Sequence, residues 1–91
     1  MNIYYSQTAS QKKNDLENNH YLKKAIERLE KAILNTPNII FIKEIQIKDL
    51  KIPLFYRSCP SFIPDYVICM YFIVLNDQIH IKDITHSKTS K

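Results

Sequence analysis

The chain has 91 residues, a formal net charge of +4 and a hydrophobic fraction of 45%. This length predicts one domain over residues 1–91 with a modest core, and the hydrophobic fraction excludes a disordered tail. The chain contains no glycine, which excludes glycine-rich phosphate loops and dinucleotide fingerprints and predicts that tight type I′ turns are absent.

The first half of the chain predicts one short strand followed by two helices. Ile3 to Tyr5 is an apolar segment typical of an edge strand, and Ser6 is a suitable N-cap for a helix over Gln7 to Leu16. Asn18-Asn19 interrupts that helix and can cap a second helix over His20 to Leu34. The second helix has the stronger apolar periodicity, which comes from Leu22, Ala25, Ile26, Leu29, Ala32 and Ile33.

The remainder of the chain predicts strands, because proline and asparagine in Asn35-Thr36-Pro37-Asn38 end the second helix. Pro60 to Pro64 is expected to be a loop, Asn76-Asp77 a hairpin turn, and the polar tail from Lys88 frayed. The predicted strands share β-branched and aromatic residues and cover Ile39 to Ile42, Ile45 to Ile47, Leu54 to Cys59, Val67 to Leu75 and Ile79 to Lys82.

This order of elements predicts an α+β fold in which a helical hairpin packs on a small, twisted, mainly antiparallel sheet. One strand and two helices are followed by three or four strands, and the order is written β-α-α-β-β-β. Val67 to Leu75 is apolar at both alternating sets of positions, which favours a central strand. Ile79 to Lys82 alternates between apolar and polar residues, which favours a strand with one buried face.

The cysteines and apolar segments indicate a cytoplasmic protein without a bound cofactor. Two cysteines do not make a disulfide framework. Cys59 and Cys69, taken with His80 and His86, lack the spacing of a zinc knuckle, so no metal site is predicted. The N-terminal residues do not resemble a signal peptide, and the longest apolar run is too short to span a bilayer.

Three ionisable residues interrupt the apolar strands of the C-terminal third: Arg57, Asp65 and His86. We expect a cation, a carboxylate and an imidazole to meet at one edge of the sheet. The simpler interpretations are that Arg57 pairs with Asp49 or Asp83, that Asp65 is an ordinary turn residue, and that His86 is solvated.

Three segments in this region resemble the RelE/ParE toxin superfamily of bacterial toxin–antitoxin modules, with the YafQ-type branch as the most similar. The segments are Tyr56-Arg57-Ser58-Cys59, Pro64-Asp65-Tyr66 and Thr85-His86-Ser87, in that order and with a hairpin between the last two. The resemblance implies a RelE-like fold for nearly the whole chain. It also implies a ribosome-dependent mRNA endonuclease that a cognate antitoxin protein neutralises, and that contacts operator DNA only through the antitoxin complex.

The resemblance assigns His86 as the general acid, Asp65 as the general base and Arg57 as a cation near the phosphate. Acid/base cleavage of RNA needs neither a metal nor a covalent intermediate, and Asp65 would act as a base if partial burial raised its pKa. The basic and aromatic residues expected to bind RNA are Lys48, Lys51, Tyr56, Tyr66 and Lys88.

The sequence departs from the family at three places. Pro60 follows Cys59 where the family usually has a histidine, Lys48 takes the place of a second histidine, and no aromatic residue follows His86. Two alternatives therefore stay open: a ParE-like inhibitor of DNA gyrase, and a catalytically inactive relative that acts by binding its antitoxin.

Overall fold

The computed structural model describes residues 1–36 and 40–89, which contain two helices and five strands. Along the chain the elements are β1 (Ile3–Tyr5), α1 (Gln7–Leu16), α2 (His20–Asn35), β2 (Ile40–Ile47), β3 (Leu50–Pro60), β4 (Tyr66–Leu75) and β5 (Gln78–Lys88). The fold is α+β, as predicted. Four strands follow the helices, which is one more than the order β-α-α-β-β-β contains and lies within the expected three or four.

The five strands form one mixed sheet in the order β1-β5-β4-β3-β2. β1 pairs in parallel with β5, and the other neighbours are antiparallel. Two predictions are therefore confirmed: β1 lies at an edge, and β4 is the central strand. β3, which contains the predicted strand Leu54 to Cys59, forms a hairpin with β2 through Lys48 and Asp49.

Both helices begin where the sequence predicts, because a polar side chain caps each N-terminus. Ser6 Oγ accepts a hydrogen bond from the backbone N–H of Ala9 at 3.1 Å. Asn19 Oδ1 accepts from the backbone N–H groups of Tyr21 at 2.9 Å and Leu22 at 3.3 Å. These bonds satisfy backbone donors that have no partner within the helix.

Replacing Asn19 with alanine is expected to lower the free energy of unfolding by about 1 kcal/mol, because both side-chain bonds at the start of α2 are lost. Chemical denaturation measures the change. Asn18→Ala is the matched control, since the side chain of Asn18 is exposed and makes no hydrogen bond within residues 1–36 and 40–89. Equal stability of the two variants would show that the Asn19 cap contributes nothing.

A single apolar cluster lies between the helices and one face of the sheet. Phe72 of β4 is 1% exposed and is the largest side chain in this cluster. The other buried members are Ala9, Leu22, Ala25, Ile26, Leu29, Ile33, Ile68, Met70, Ile79, Ile81 and Ile84. The predicted apolar face of α2 is thus the face that packs on the sheet, apart from Ala32, which is only partly buried.

Two rows of paired residues define the helix-covered face near the site. One row joins Arg57, Met70 and Ile84, and the next joins Cys59, Ile68 and His86. Directly paired residues of neighbouring strands point to the same side of a sheet, and successive residues alternate between sides. Arg57 and His86 therefore lie on the helix-covered face, in adjacent rows and on strands separated by β4.

Several boundaries differ from the prediction. Residues 40–47 form one strand rather than two segments, and Pro60 is the last residue of β3 rather than part of the loop. Lys88 ends β5, and the backbone N–H of Thr89 donates to Asp65 O at 2.7 Å, although the tail was expected to fray from Lys88. Residues 37–39 and 90–91, which include part of the predicted α2 terminator, lie outside the described residues.

The prediction that tight type I′ turns are absent was wrong. Asn76 and Asp77, which join β4 to β5, have φ angles of 53° and 61°. Positive φ at both central residues defines the type I′ geometry, and asparagine and aspartate adopt it at lower cost than most residues other than glycine. The absence of glycine therefore does not exclude this turn.

Candidate functional site

His86 lies in β5 at the end of the helix-covered face, where it is half-buried. Its Nε2 atom is 3.2 Å from the hydroxyl oxygen of Ser61, a residue of the loop that joins β3 to β4. The alternative of a solvated histidine beside a frayed end does not describe this position, because β5 continues for two residues beyond His86.

Ser61 contacts Nε2 of the imidazole and leaves Nδ1 available. Ser61 is 0% exposed, and its hydroxyl oxygen lies 3.1 Å from Tyr66 O and accepts from Ile63 N–H at 3.3 Å. The tautomer of the imidazole decides whether Ser61 Oγ or His86 Nε2 is the donor in their contact. In either case Nε2 is occupied by Ser61, and Nδ1 is the nitrogen that remains for proton transfer.

Tyr66, the first residue of β4, packs against the imidazole. The ring centroids of Tyr66 and His86 are 5.0 Å apart with an interplanar angle of 35°. Tyr66 is 37% exposed, so part of its ring faces solvent. An exposed aromatic ring beside an imidazole is the type of surface on which an unpaired base stacks.

Asp65 precedes Tyr66 in the loop and has a left-handed backbone with φ of 66°. Its carbonyl oxygen accepts hydrogen bonds from the backbone and the hydroxyl of Thr89, which attaches the loop to the residue after β5. Asp65 is exposed, so it is not the partly buried carboxylate that the general-base hypothesis assumed. It lies beside Tyr66, and its role as a base stays a prediction.

The structure places Arg57 away from this site. The Nη1 atom of Arg57 donates to the carbonyl oxygens of Ala32 at 3.4 Å and Thr36 at 3.3 Å, and to the Thr36 hydroxyl. These acceptors lie at the C-terminal end of α2, where the helix dipole favours a positive charge. Arg57 therefore stabilises α2, and neither Asp49 nor Asp83 is its partner; Asp83 pairs with Lys12 at 2.6 Å.

The residues expected to bind RNA do not come together as one surface. Lys88 pairs with Tyr66 and lies at the site. Lys51 is eight positions before Cys59 on β3, which corresponds to roughly 26 Å along the strand from the row that contains His86. Lys48 lies in the turn of the same hairpin. Tyr56 stacks on Tyr71, and because it is next to Arg57 in β3, its side chain lies on the face of the sheet opposite the helices.

Two grooves flank the pair formed by Tyr66 and His86. The first, about 410 Å³, lies between α1 and β5 and is lined by Lys12, Asp15, Leu16, Ile84, Thr85 and His86. The second, which we call the loop groove, is also about 410 Å³ and includes Phe62, Asp65 and Tyr66 among its lining residues. Both volumes are in the range of small-ligand sites.

Sequence reasoning missed three residues that the fold brings to the site. Ser61 fixes the imidazole, Phe62 lines the loop groove, and the guanidinium carbon of Arg28 lies 5.0 Å from the Phe62 ring centroid. The position of Ser61 between two prolines was a weak signal for a constrained loop. Nothing in the sequence indicated Arg28 as a site residue, because Phe62, the residue that it contacts, is distant in sequence.

In the part of the chain that the structure describes, no group of three or more His, Cys, Asp or Glu side chains has a metal-binding arrangement. None of the described helices has the length and apolar character needed to cross a bilayer. Comparisons of the chain with models of protein families, with curated proteins and with solved structures gave no significant match.

Proposed function

We propose that this protein is a RelE-like toxin of a type II toxin–antitoxin module, acting in the cytoplasm as a ribosome-dependent mRNA endonuclease. The observation that carries the proposal is the cluster in which Ser61 anchors His86 and the ring of Tyr66 packs on the imidazole. The order of elements and the three short motifs support the same family, and the net charge of +4 suits an RNA partner.

The proposed reaction uses two proton transfers. A base removes the proton of the ribose 2′-hydroxyl, whose oxygen attacks the adjacent phosphorus and forms a 2′,3′-cyclic phosphate. The bond from phosphorus to the 5′-oxygen breaks, and that oxygen takes a proton from the acid. His86, carrying a proton on both ring nitrogens, is the acid and gives the proton from Nδ1, while Asp65 is the candidate base.

Tyr66 supplies the binding surface in this scheme. A nucleobase stacked on the exposed part of the Tyr66 ring would hold the neighbouring phosphate close to the imidazole of His86. The phosphate and the imidazole would then react in a fixed geometry instead of meeting by diffusion. Arg57 has no part in the proposed reaction, since its guanidinium is bound to the end of α2.

The placement of Arg57 favours a second candidate, a ParE-like inhibitor of DNA gyrase or an inactive relative that acts through antitoxin binding. Without Arg57 the site has one imidazole and one exposed carboxylate. These are few catalytic groups for an endonuclease. An antitoxin partner is expected in each case, with a segment that covers apolar surface and offsets the basic charge.

Purified protein added to ribosomes that translate a reporter mRNA separates these candidates. The endonuclease predicts cuts at discrete codons that depend on translation, with mRNA intact in the absence of ribosomes. Intact reporter mRNA together with inhibited gyrase supercoiling would favour the ParE-like function. Intact mRNA with unaffected gyrase would leave the inactive relative.

A further inference from the structure

The loop groove contains more than the proposed catalytic residues. Phe62 and Tyr66 both line it, so two aromatic rings border one groove. Phe62 is 45% exposed and has φ of 69°. A left-handed backbone is unfavourable for a phenylalanine, and such residues persist where the surrounding structure holds them.

Each of the two rings has a nitrogen-containing side chain beside it. Tyr66 packs on His86, and the guanidinium of Arg28 lies over Phe62 with a separation of 5.0 Å. Arg28 is exposed and has no carboxylate within salt-bridge distance among residues 1–36 and 40–89. Its positive charge is therefore not neutralised within the described chain.

Arg28 also lies close to the row that contains His86. Cys59 Sγ donates to the carbonyl oxygen of Ala25, one turn before Arg28. Burial raises the pKa of the Cys59 thiol, and the nearby charge of Arg28 acts in the opposite direction. Cys59 pairs with Ile68, which pairs with His86, so about 10 Å separates Cys59 from His86 across two strand spacings.

We propose that Phe62, which lines the loop groove, and Arg28, which lies over the Phe62 ring, form a second nucleotide subsite for single-stranded RNA, next to the subsite at Tyr66 and His86. The face of the Phe62 ring opposite Arg28 stacks on a nucleobase, and the Arg28 guanidinium binds the phosphate beside that nucleobase. The inference rests on the proposed function, because it names the residues that hold the substrate next to the reacting phosphate.

Arg28 supplies the positive charge beside the Phe62 ring, so the phosphates lie on the side where Arg28 approaches Phe62. In this proposal Arg28 is the cation near the site that the resemblance assigned to Arg57.

The test is the binding of a fluorescent single-stranded RNA whose 2′-hydroxyls are methylated, so that it cannot be cleaved. Fluorescence anisotropy is measured over a series of salt concentrations. For Arg28→Ala we expect the slope of log K against log salt to fall by about 0.7, the value for one phosphate contact on single-stranded RNA. Arg28→Lys keeps the charge and should keep the slope.

Phe62→Ala should weaken binding by about fivefold or more without a change in slope, because it removes stacking and leaves the charge. Phe62→Tyr keeps the ring and should bind like the wild type. The matched control is Lys23→Ala, which removes one exposed positive charge from the same helix about 140° around its axis from Arg28. Thermal unfolding confirms that each variant is folded.

The outcomes separate the subsite from the proposed function. If Arg28→Ala binds RNA as Lys23→Ala does, or if the wild type does not bind the RNA, the subsite is wrong. If the Arg28 and Phe62 variants behave as expected but ribosomal mRNA remains intact, the subsite stands and the nuclease function fails.

Discussion

Replacing His86 with alanine is expected to slow RNA cleavage by about 10²–10⁴-fold, the usual contribution of a positioned general acid. The variant loses the proposed proton donor for the 5′-oxygen and the ring that packs on Tyr66. The rate is measured as the fraction of reporter mRNA cut per unit time on translating ribosomes. Expression in bacteria gives a second measurement, since the variant should no longer arrest growth.

His80→Ala is the matched control for this prediction. His80 is in the same strand, but it stacks on Tyr4 with ring centroids 5.5 Å apart and belongs to a row on the other side of the sheet. The same chemical change at this position should leave the cleavage rate within a factor of about two of the wild-type rate, because His80 is outside the site. If both variants arrest growth as the wild type does, His86 is not the catalytic acid.

Replacing Arg57 with alanine is expected to lower the free energy of unfolding by about 2–3 kcal/mol. The variant removes a positive charge from the C-terminal end of α2, together with the hydrogen bonds of Nη1, whose two protons are shared among three acceptors. A loss of this size is substantial for a 91-residue chain, whose total stability is on the order of 5–14 kcal/mol. Urea denaturation followed by circular dichroism measures the change.

Arg28→Ala is the control for the Arg57 prediction, because it removes the same side chain from an exposed position where the neighbour is the Phe62 ring. It should cost less than about 1 kcal/mol. RNA binding should respond in the opposite way. Arg28→Ala should bind RNA more weakly than the wild type, and the folded Arg57→Ala variant should bind RNA as tightly as the wild type. If Arg57→Ala has normal stability but no longer cleaves RNA, Arg57 acts in catalysis and not in the stability of α2.

The helices and the central strand could be predicted because local interactions determine them. Ser6 and Asn19 are capping residues at the correct positions, and β4 is apolar on both faces because it lies in the middle of the sheet. β5 was predicted too short for a local reason. A bulge opposite Tyr71 and Phe72 adds Lys82 to the strand, which breaks the apolar alternation between Ile81 and Ile84.

Pro53 misled the prediction of β3 in a similar way. Proline lacks a backbone donor and suggests the end of a strand. In the structure β3 pairs with β4 only from Phe55 onward, so at Pro53 one side of the strand has no neighbouring strand. Proline is tolerated there, and the strand begins at Leu50.

The candidate site was only partly predictable because its parts meet through tertiary contacts. The resemblance indicated Asp65, Tyr66 and His86, of which Tyr66 and His86 are in contact and Asp65 is adjacent in sequence. The use of Arg57 at the end of α2 depends on the position of that helix over the sheet, which no local pattern encodes. The same holds for the contacts of Ser61 and Arg28.

The parallel pairing of β1 with β5 has a consequence for the order in which the site forms. Ile3 pairs with Ile79, so this contact closes a loop of 76 positions, and contacts between residues far apart in sequence slow folding. During synthesis β5 emerges after every other element of the fold. His86 therefore reaches Ser61 and Tyr66 only after the rest of the described sheet has been synthesised, so the candidate site cannot assemble before β5 is made.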